Sequence, residues 1–291
     1  MTNKTAVLAL FIAIAAFGLA VFFRTSKNQS ETIQHESAYE RVVRTQTLRC
    51  GYFLWSPFVT QDVNTKALGG FEYEYANAVG KSLGLKVTWQ EILQGQQVEA
   101  LRAAKVDVIC DDGPFLTSAA AYLQYVEPML YEDFYFFVRA DDTRFDGDIN
   151  KVNSPDVTMV AMDGDISLDI AAQSFPKVKL HQLPNSADPT QLMLDVVNKK
   201  ADIVINDAFS GVDFLKNNPG TLRHVKLDKP VAYLPDQFSV LRGEGALADM
   251  LSQGVRNVRA RGIEDAVFAR VAPEYQSCIH RVALPYIPTQ Q

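Results

Sequence analysis

Read for hydrophobic and polar positions, the chain alternates short apolar runs with amphipathic stretches of helical period. Thr47–Tyr52 is a short strand candidate. Behind the Gly69-Gly70 pair, Phe71, Tyr75, Ala78, Val79 and Leu83 recur at helical spacing, with Gly84 as the stop, so residues 71–83 predict an amphipathic helix. Residues 86–89 then predict a strand, 98–104 a helix, and the unbroken apolar run 106–110 a strand buried on both faces. Strand, helix, strand, helix, strand is the signature of a parallel sheet. Past that run the character changes. Asp111 and Asp112 follow the strand, Gly113 and Pro114 force a turn, and Thr117 or Ser118 is placed to cap a helix predicted over 119–125.

A second series follows the aromatic, β-prone run 131–138 and the loop-like stretch 141–156. Residues 157–162 predict a strand, Asp163-Gly164-Asp165 a turn, and 167–173 a helix capped near Ile166 or Ser167. Next come a strand over 178–183, a helix over Thr190–Val197 and a strand over 201–205 that ends at Asn206-Asp207. The segment ADIVINDAF echoes VDVICDDGPF, which predicts two similar α/β lobes with facing strand ends. Residues 233–241 form another extended run, and 246–260 and Ile263–Val271 are helices expected to pack on one lobe.

Ligands of open α/β sheets bind beyond the carboxyl ends of the strands. Asp111, Asp112, Asp165 and Asp207 therefore stand where a ligand would, although each also reads as a turn former. Trp55 and Phe58 lie in a turn and serve either as core plugs or as a ligand platform. Glu72 and Glu74 are accounted for by the favourable field at a helix start.

Composition narrows the function. The formal charge of −6 over 291 residues, without a Lys/Arg cluster, argues against nucleic acid and favours cationic partners. His35, His181, His224 and His280 lack zinc-hydrolase spacing, and there is neither a nucleophile elbow nor a phosphate loop, so no metal or cofactor is expected. Cys50, Cys110 and Cys278 lack CxxC spacing. Cys50 and Cys110 end adjacent predicted strands, where neighbouring core thiols are favoured over a cross-strand bridge.

Residues 6–23 carry no charged side chain and span roughly 27 Å at 1.5 Å per residue, which predicts a transmembrane anchor over 1–25. A cleaved signal peptide is the rival, with Gly18-Leu19-Ala20 as its small-residue site. Residues 26–38 read as a polar spacer.

The segments LRCGY…WSPF, GGFEYEYANAVGKSLGLKVTW, VEALRAAKVDVI, VEPMLY and NKKADIVIND follow one another between Tyr39 and Val282. In that order they resemble the bacterial extracellular solute-binding proteins of family 3, the type II periplasmic-binding-protein fold of amino-acid ABC importers. The resemblance implies a two-lobed Venus-flytrap α/β fold, with lobe 1 over 39–131 plus 235–285 and lobe 2 over 132–234. Its hinge strands would lie near 131–134 and Ala232–Asp236. It implies a monomeric, non-enzymatic protein on the periplasmic side of the inner membrane, or free in the periplasm if cleaved. Such a protein delivers a small polar solute to an ABC permease. Carried across, the ligand contacts fall on Trp55 with Phe58 beside it, Asp111, Asp112, the segment Asp165 to Ser167, and Asp207, the acid that grips an ammonium group.

Two departures from the family matter: its small polar contacts fall on Asp112 and Asp165 while Asp207 is kept, and its arginine is missing. The family's carboxylate-binding arginine falls on Ala119 or Ala120, and no arginine occurs between Arg102 and Arg139. An α-carboxylate closed into such a cleft would lack its counterion. Clustered Asp residues would instead attract an amine, a polyamine, a guanidinium compound or a metal ion. The alternatives are a dehydratase-like enzyme on the same scaffold and a ligand-sensing domain that docks to a membrane partner.

Overall fold

In the computed structural model, which describes residues 36–110, 113–271 and 273–282, the two series of strands form two separate sheets, giving a two-lobed α/β architecture. The chain starts with helix α1 (Ala38–Thr45), strand β1 (Thr47–Tyr52), the hairpin β2 (Thr60–Gln61) and β3 (Leu68–Gly69), and α2 (Phe71–Ser82). It continues through β4 (Lys86–Glu91), α3 (Gln97–Arg102), β5 (Val108–Ile109) and β6 (Leu123–Tyr125). It crosses to the second sheet on the long β7 (Leu130–Arg139), followed by β8 (Thr158–Met162), α4 (Ile166–Ser174), β9 (Lys179–Leu183) and α5 (Thr190–Val197). Then come β10 (Ile203–Asp207), α6 (Ala208–Asn217), β11 (Leu222–His224) and β12 (Ala232–Asp236). Strand β13 (Ser239–Leu241) returns to the first sheet, and α7 (Gly245–Ala260), α8 (Ile263–Val271) and β14 (Ile279–Arg281) follow.

The first sheet has the order β4-β1-β5-β13-β6, with β1 parallel to β4 and β5, and β13 antiparallel to β5 and β6. The second has the order β11-β7-β10-β8-β9. Along β7, residues 134–138 pair with β10, while residues 130–134 pair with β12. The polypeptide that joins the sheets therefore passes through two paired strands.

The apolar face predicted for α2 is buried: Phe71, Tyr75 and Val79 are at most 1% exposed. It packs on α7 and α8, with the Phe71 and Phe268 rings stacked 3.9 Å apart. Gly254 admits this approach, because a Cβ there would sit 2.9 Å from Val79 and Leu83 side-chain carbons. Burying each aromatic of this face contributes about 1.5–3 kcal/mol.

Three expectations need correction. The helix predicted over 119–125 is a 3-10 turn at Thr117–Ala119 followed by β6. A run that short closes few helical hydrogen bonds, whereas pairing with β13 satisfies its backbone and buries Leu123. Arg242 reinforces this path by donating to the carbonyls of Ala121 at 3.1 Å and Leu123 at 2.7 Å. The extended run 233–241 breaks after Asp236 into β12 and β13, which belong to different sheets. Cys50 and Cys110 form a disulfide rather than two thiols. The Cys110 amide donates to the Gly51 carbonyl at 3.0 Å, and the two cysteine Cα atoms stand 5.4 Å apart, within bridging range. Cys278 is a buried free thiol. The anchor predicted at 1–25 lies outside the described residues, among which no helix is long and apolar enough to cross a membrane.

Candidate functional site

Both sheets present strand ends to one gap. Parallel β8 and β10 run toward it, and each is followed at once by a helix whose N-cap is an aspartate, Asp165 for α4 and Asp207 for α6. The Asp165 Oδ1 accepts from the Ser167 amide at 2.8 Å, and the Asp207 Oδ1 from the Ser210 amide at 2.6 Å. These bonds satisfy helix-start amides and also fix two carboxylates at the rim of the gap. From the first sheet, the loop after β1 carries Phe53, Trp55 and Phe58 across to face them.

The resulting cavity is small, with an enclosed volume of about 60 Å3. Trp55, Phe58, Asp165 and Asp207 line it together. Ser167 does not; its hydroxyl is buried and accepts from the Met162 amide at 3.4 Å. Asp111 and Asp112 lie outside the described residues, but the next two residues, Gly113 and Pro114, line the cavity.

Three further carboxylates line it: Glu72 at the start of α2, Glu132 on β7 and Asp236 at the end of β12, each at most 3% exposed. Sequence reasoning passed over all three. For Glu72 the helix-start field was a sufficient explanation. Glu132 left a legible signal, since an acid inside an aromatic strand destined for burial requires a reason. Asp236 lay inside the extended run 233–241 and in the hinge segment Ala232–Asp236, where no ligand contact was expected of it.

Burial governs the proton affinity of these groups. It pushes Asp207 up to about 6, against the hydrogen bonds from Ser210, and the charge on nearby Asp165 adds to the rise. Asp165 is raised by desolvation, again opposed by its N-cap bonds. Asp236 is raised for the same reason, with Glu72 and the Gln237 amide holding it back.

Among the described residues, none that lines the cavity carries a positive charge. Arg259 is held elsewhere, 2.6 Å from Glu127 and 3.6 Å from Glu264. A unit charge 4 Å from a carboxylate interacts by about 4 kcal/mol at an effective dielectric of about 20, which sets the scale of any such contact in this cavity. No group of three or more His, Cys, Asp or Glu among the described residues is arranged to hold a metal ion.

The lobes touch across the gap. Trp55 Nε1 donates to Ser210 Oγ at 2.8 Å, Ser56 Oγ donates to Asp213 Oδ2 at 2.9 Å, and the Phe58 and Phe209 rings lie 5.1 Å apart. On another side, the Thr117 amide donates to Asp169 at 2.6 Å. Gly164, in the left-handed region at φ 77°, lies against Gly95 so closely that a Cβ would fall 2.6 Å from the Gly95 Cα.

Comparison with known proteins places this geometry. The family model for bacterial extracellular solute-binding proteins, family 3, matches residues 48–270. A probable amino-acid ABC transporter-binding protein of Haemophilus influenzae is 24% identical over 77% of this chain and 83% of its own. The L-cystine-binding protein TcyA of Bacillus subtilis is 21% identical over 94% of this chain and 97% of its own. The crystal structure of the ancestral amino acid-binding protein AncCDT-1, a precursor of cyclohexadienyl dehydratase, shares the fold with a TM-score of 0.69. It is 20% identical, with 81% of this chain and 99% of that chain covered.

Proposed function

The chain belongs to the bacterial extracellular solute-binding proteins, family 3, and from that premise we propose that it captures a small, positively charged organic solute for an ABC-type permease. The observation that carries this reading is the cavity wall: Glu72, Glu132, Asp165, Asp207 and Asp236 with no basic side chain among the described lining residues. At the position where the family's carboxylate-binding arginine is expected stands Ala119 or Ala120. An amine or guanidinium is thus matched by the cavity, and a free α-carboxylate is not.

We take the lobes as residues 39–131 plus 235–285 and residues 132–234, with β7 and β12 as the hinge. Ligand then stabilises the closed form by its differential affinity for the two arrangements. Asp207 is the principal cation acceptor, and the Trp55 and Phe58 rings provide the platform, adding cation–π attraction. Trp55 also bonds to Ser210 of the other lobe, so platform and closure share one residue. The Cys50–Cys110 disulfide suits an oxidising, extracytoplasmic compartment. Residues 6–23 would tether the protein to the periplasmic face of the inner membrane. Raised carboxyls such as Asp207 also suit a general acid, but the cavity offers no cation to hold an acidic substrate.

The test is calorimetric titration with arginine, its decarboxylated form agmatine, and glutamate. Agmatine should bind at least about tenfold more tightly than arginine, and glutamate should not bind. Tighter binding of glutamate than of agmatine would overturn the reading.

A further inference from the structure

We infer that the solute is a two-headed cation: the cavity holds two separate carboxylate sites, one on the second lobe and one at the crossing strands, joined by aromatic walls. The inference rests on the cationic reading above and specifies its ligand class, an α,ω-diamine or a compound of that kind.

The first site is Asp165 with Asp207, the N-caps of α4 and α6, close enough for one charge to raise the other's proton affinity. The second is Glu72, Glu132 and Asp236. In the β7–β12 ladder, Glu132 pairs with Leu234 and Leu130 with Asp236. The two acids are thus each offset by two residues from the other's partner and share one face of the pair. Glu72 reaches Asp236 from α2.

An acidic cluster alone does not make a site. Asp236 supplies the independent observation: it is 1% exposed and lines the cavity, and beyond its approach to Glu72 and the Gln237 amide neither carboxylate oxygen has a hydrogen-bond partner. A carboxylate buried in this way is expensive unless a donor arrives. An ammonium in the cavity would be that donor, with three N–H groups for the acids around it. Between the sites the wall is Phe53, Trp55, Phe58 and Phe134, apolar surface against which a methylene chain packs.

The placement has a mechanical consequence. One site belongs to the second lobe and the other to the two strands that join the sheets. A ligand with two heads bridges them, whereas a single amine fills one site and leaves the other without a cation. Affinity for the dication should therefore exceed that for either head alone, since the second contact is intramolecular.

The experiment is calorimetric titration at pH 7.5 with butane-1,4-diamine, pentane-1,5-diamine, hexane-1,6-diamine and butylamine. It uses the wild type and Asp207→Asn, Glu132→Gln and Asp236→Asn, with each variant's fold checked by thermal unfolding. We expect one diamine to bind at least about thirtyfold more tightly than butylamine. Asp207→Asn and whichever of the two hinge-strand variants folds should each bring that diamine toward the butylamine level. Butylamine within about threefold of every diamine would overturn the two-headed inference and leave the cationic reading standing. Failure of all four amines, with agmatine bound, would do the same. Failure of all four and of agmatine would overturn both.

Discussion

Replacing Asp207 by asparagine separates the cost of an acidic cleft from its use. In the unliganded protein the buried carboxyl is raised from 3.8 to about 6. At about 1.4 kcal/mol for each pKa unit, holding it ionised costs roughly 3 kcal/mol. The sign follows from the folded state keeping its proton longer than the unfolded chain. The stabilising contribution is full below the unfolded value of 3.8 and is lost as pH rises through about 6. Asparagine retains an oxygen for the Ser210 amide and is an equally good N-cap, so the cap survives while the charge goes. Unliganded Asp207→Asn should therefore exceed the wild type in stability at pH 7.5 by up to about 3 kcal/mol, or roughly 5–10 °C in Tm. At pH 4 the two should fall within about 1 kcal/mol of each other. With agmatine present the order of response reverses: the wild type gains Tm and the variant gains little. Urea titrations at the two pH values give the stabilities, and thermal scans with and without agmatine give the ligand response. A variant less stable than the wild type at pH 7.5 with an unchanged m value, or one that keeps the full agmatine response, would refute the reasoning.

The other predictions are briefer. Because Asp207 titrates near 6 in the free protein, only about one tenth of it is ionised at pH 5. The Kd for a cation should then rise about tenfold between pH 7.5 and pH 5, and a Kd flat across that interval would contradict the assignment. Gly164→Ala places a Cβ against Gly95, so it should weaken binding and leave the ligand-treated protein more open in solution scattering. Unaltered affinity would show that this approach is unimportant for closure. The Cys50–Cys110 bridge spans a sequence separation of 60; its removal should destabilise the protein by up to about 4 kcal/mol in the chain-entropy picture, read by urea titration with and without reductant.

Much of the fold was legible because it is written in periodicity. The helical spacing of Phe71, Tyr75 and Val79 and the apolar runs of β8 and β10 survive in the structure with ends displaced by a residue or two. Pairing was not legible. Residues 119–125 have no strand signal of their own and become β6 only because β13, more than a hundred positions later, offers a ladder. The same distance effect hid the fate of residues 233–241, where one extended run serves two sheets.

The candidate site divides along similar lines. Asp165 and Asp207 could be located because strand ends in parallel sheets face ligands, and both line the cavity. Glu72, Glu132 and Asp236 come from three elements distant in sequence, and nothing short of the assembled lobes brings them to one wall. Ser167, two positions after Asp165, turns its hydroxyl back to the Met162 amide, as a helix-start residue facing a strand end does.

The central claim is that the cavity selects by sign of charge, and a ligand series that varies charge at constant length tests it most directly. Equilibrium titration at pH 7.5 with pentane-1,5-diamine, pentylamine, pentanoate and glutarate should give affinities falling in that order, with no detectable binding of either carboxylate. Glutarate or pentanoate bound more tightly than pentylamine would contradict the account.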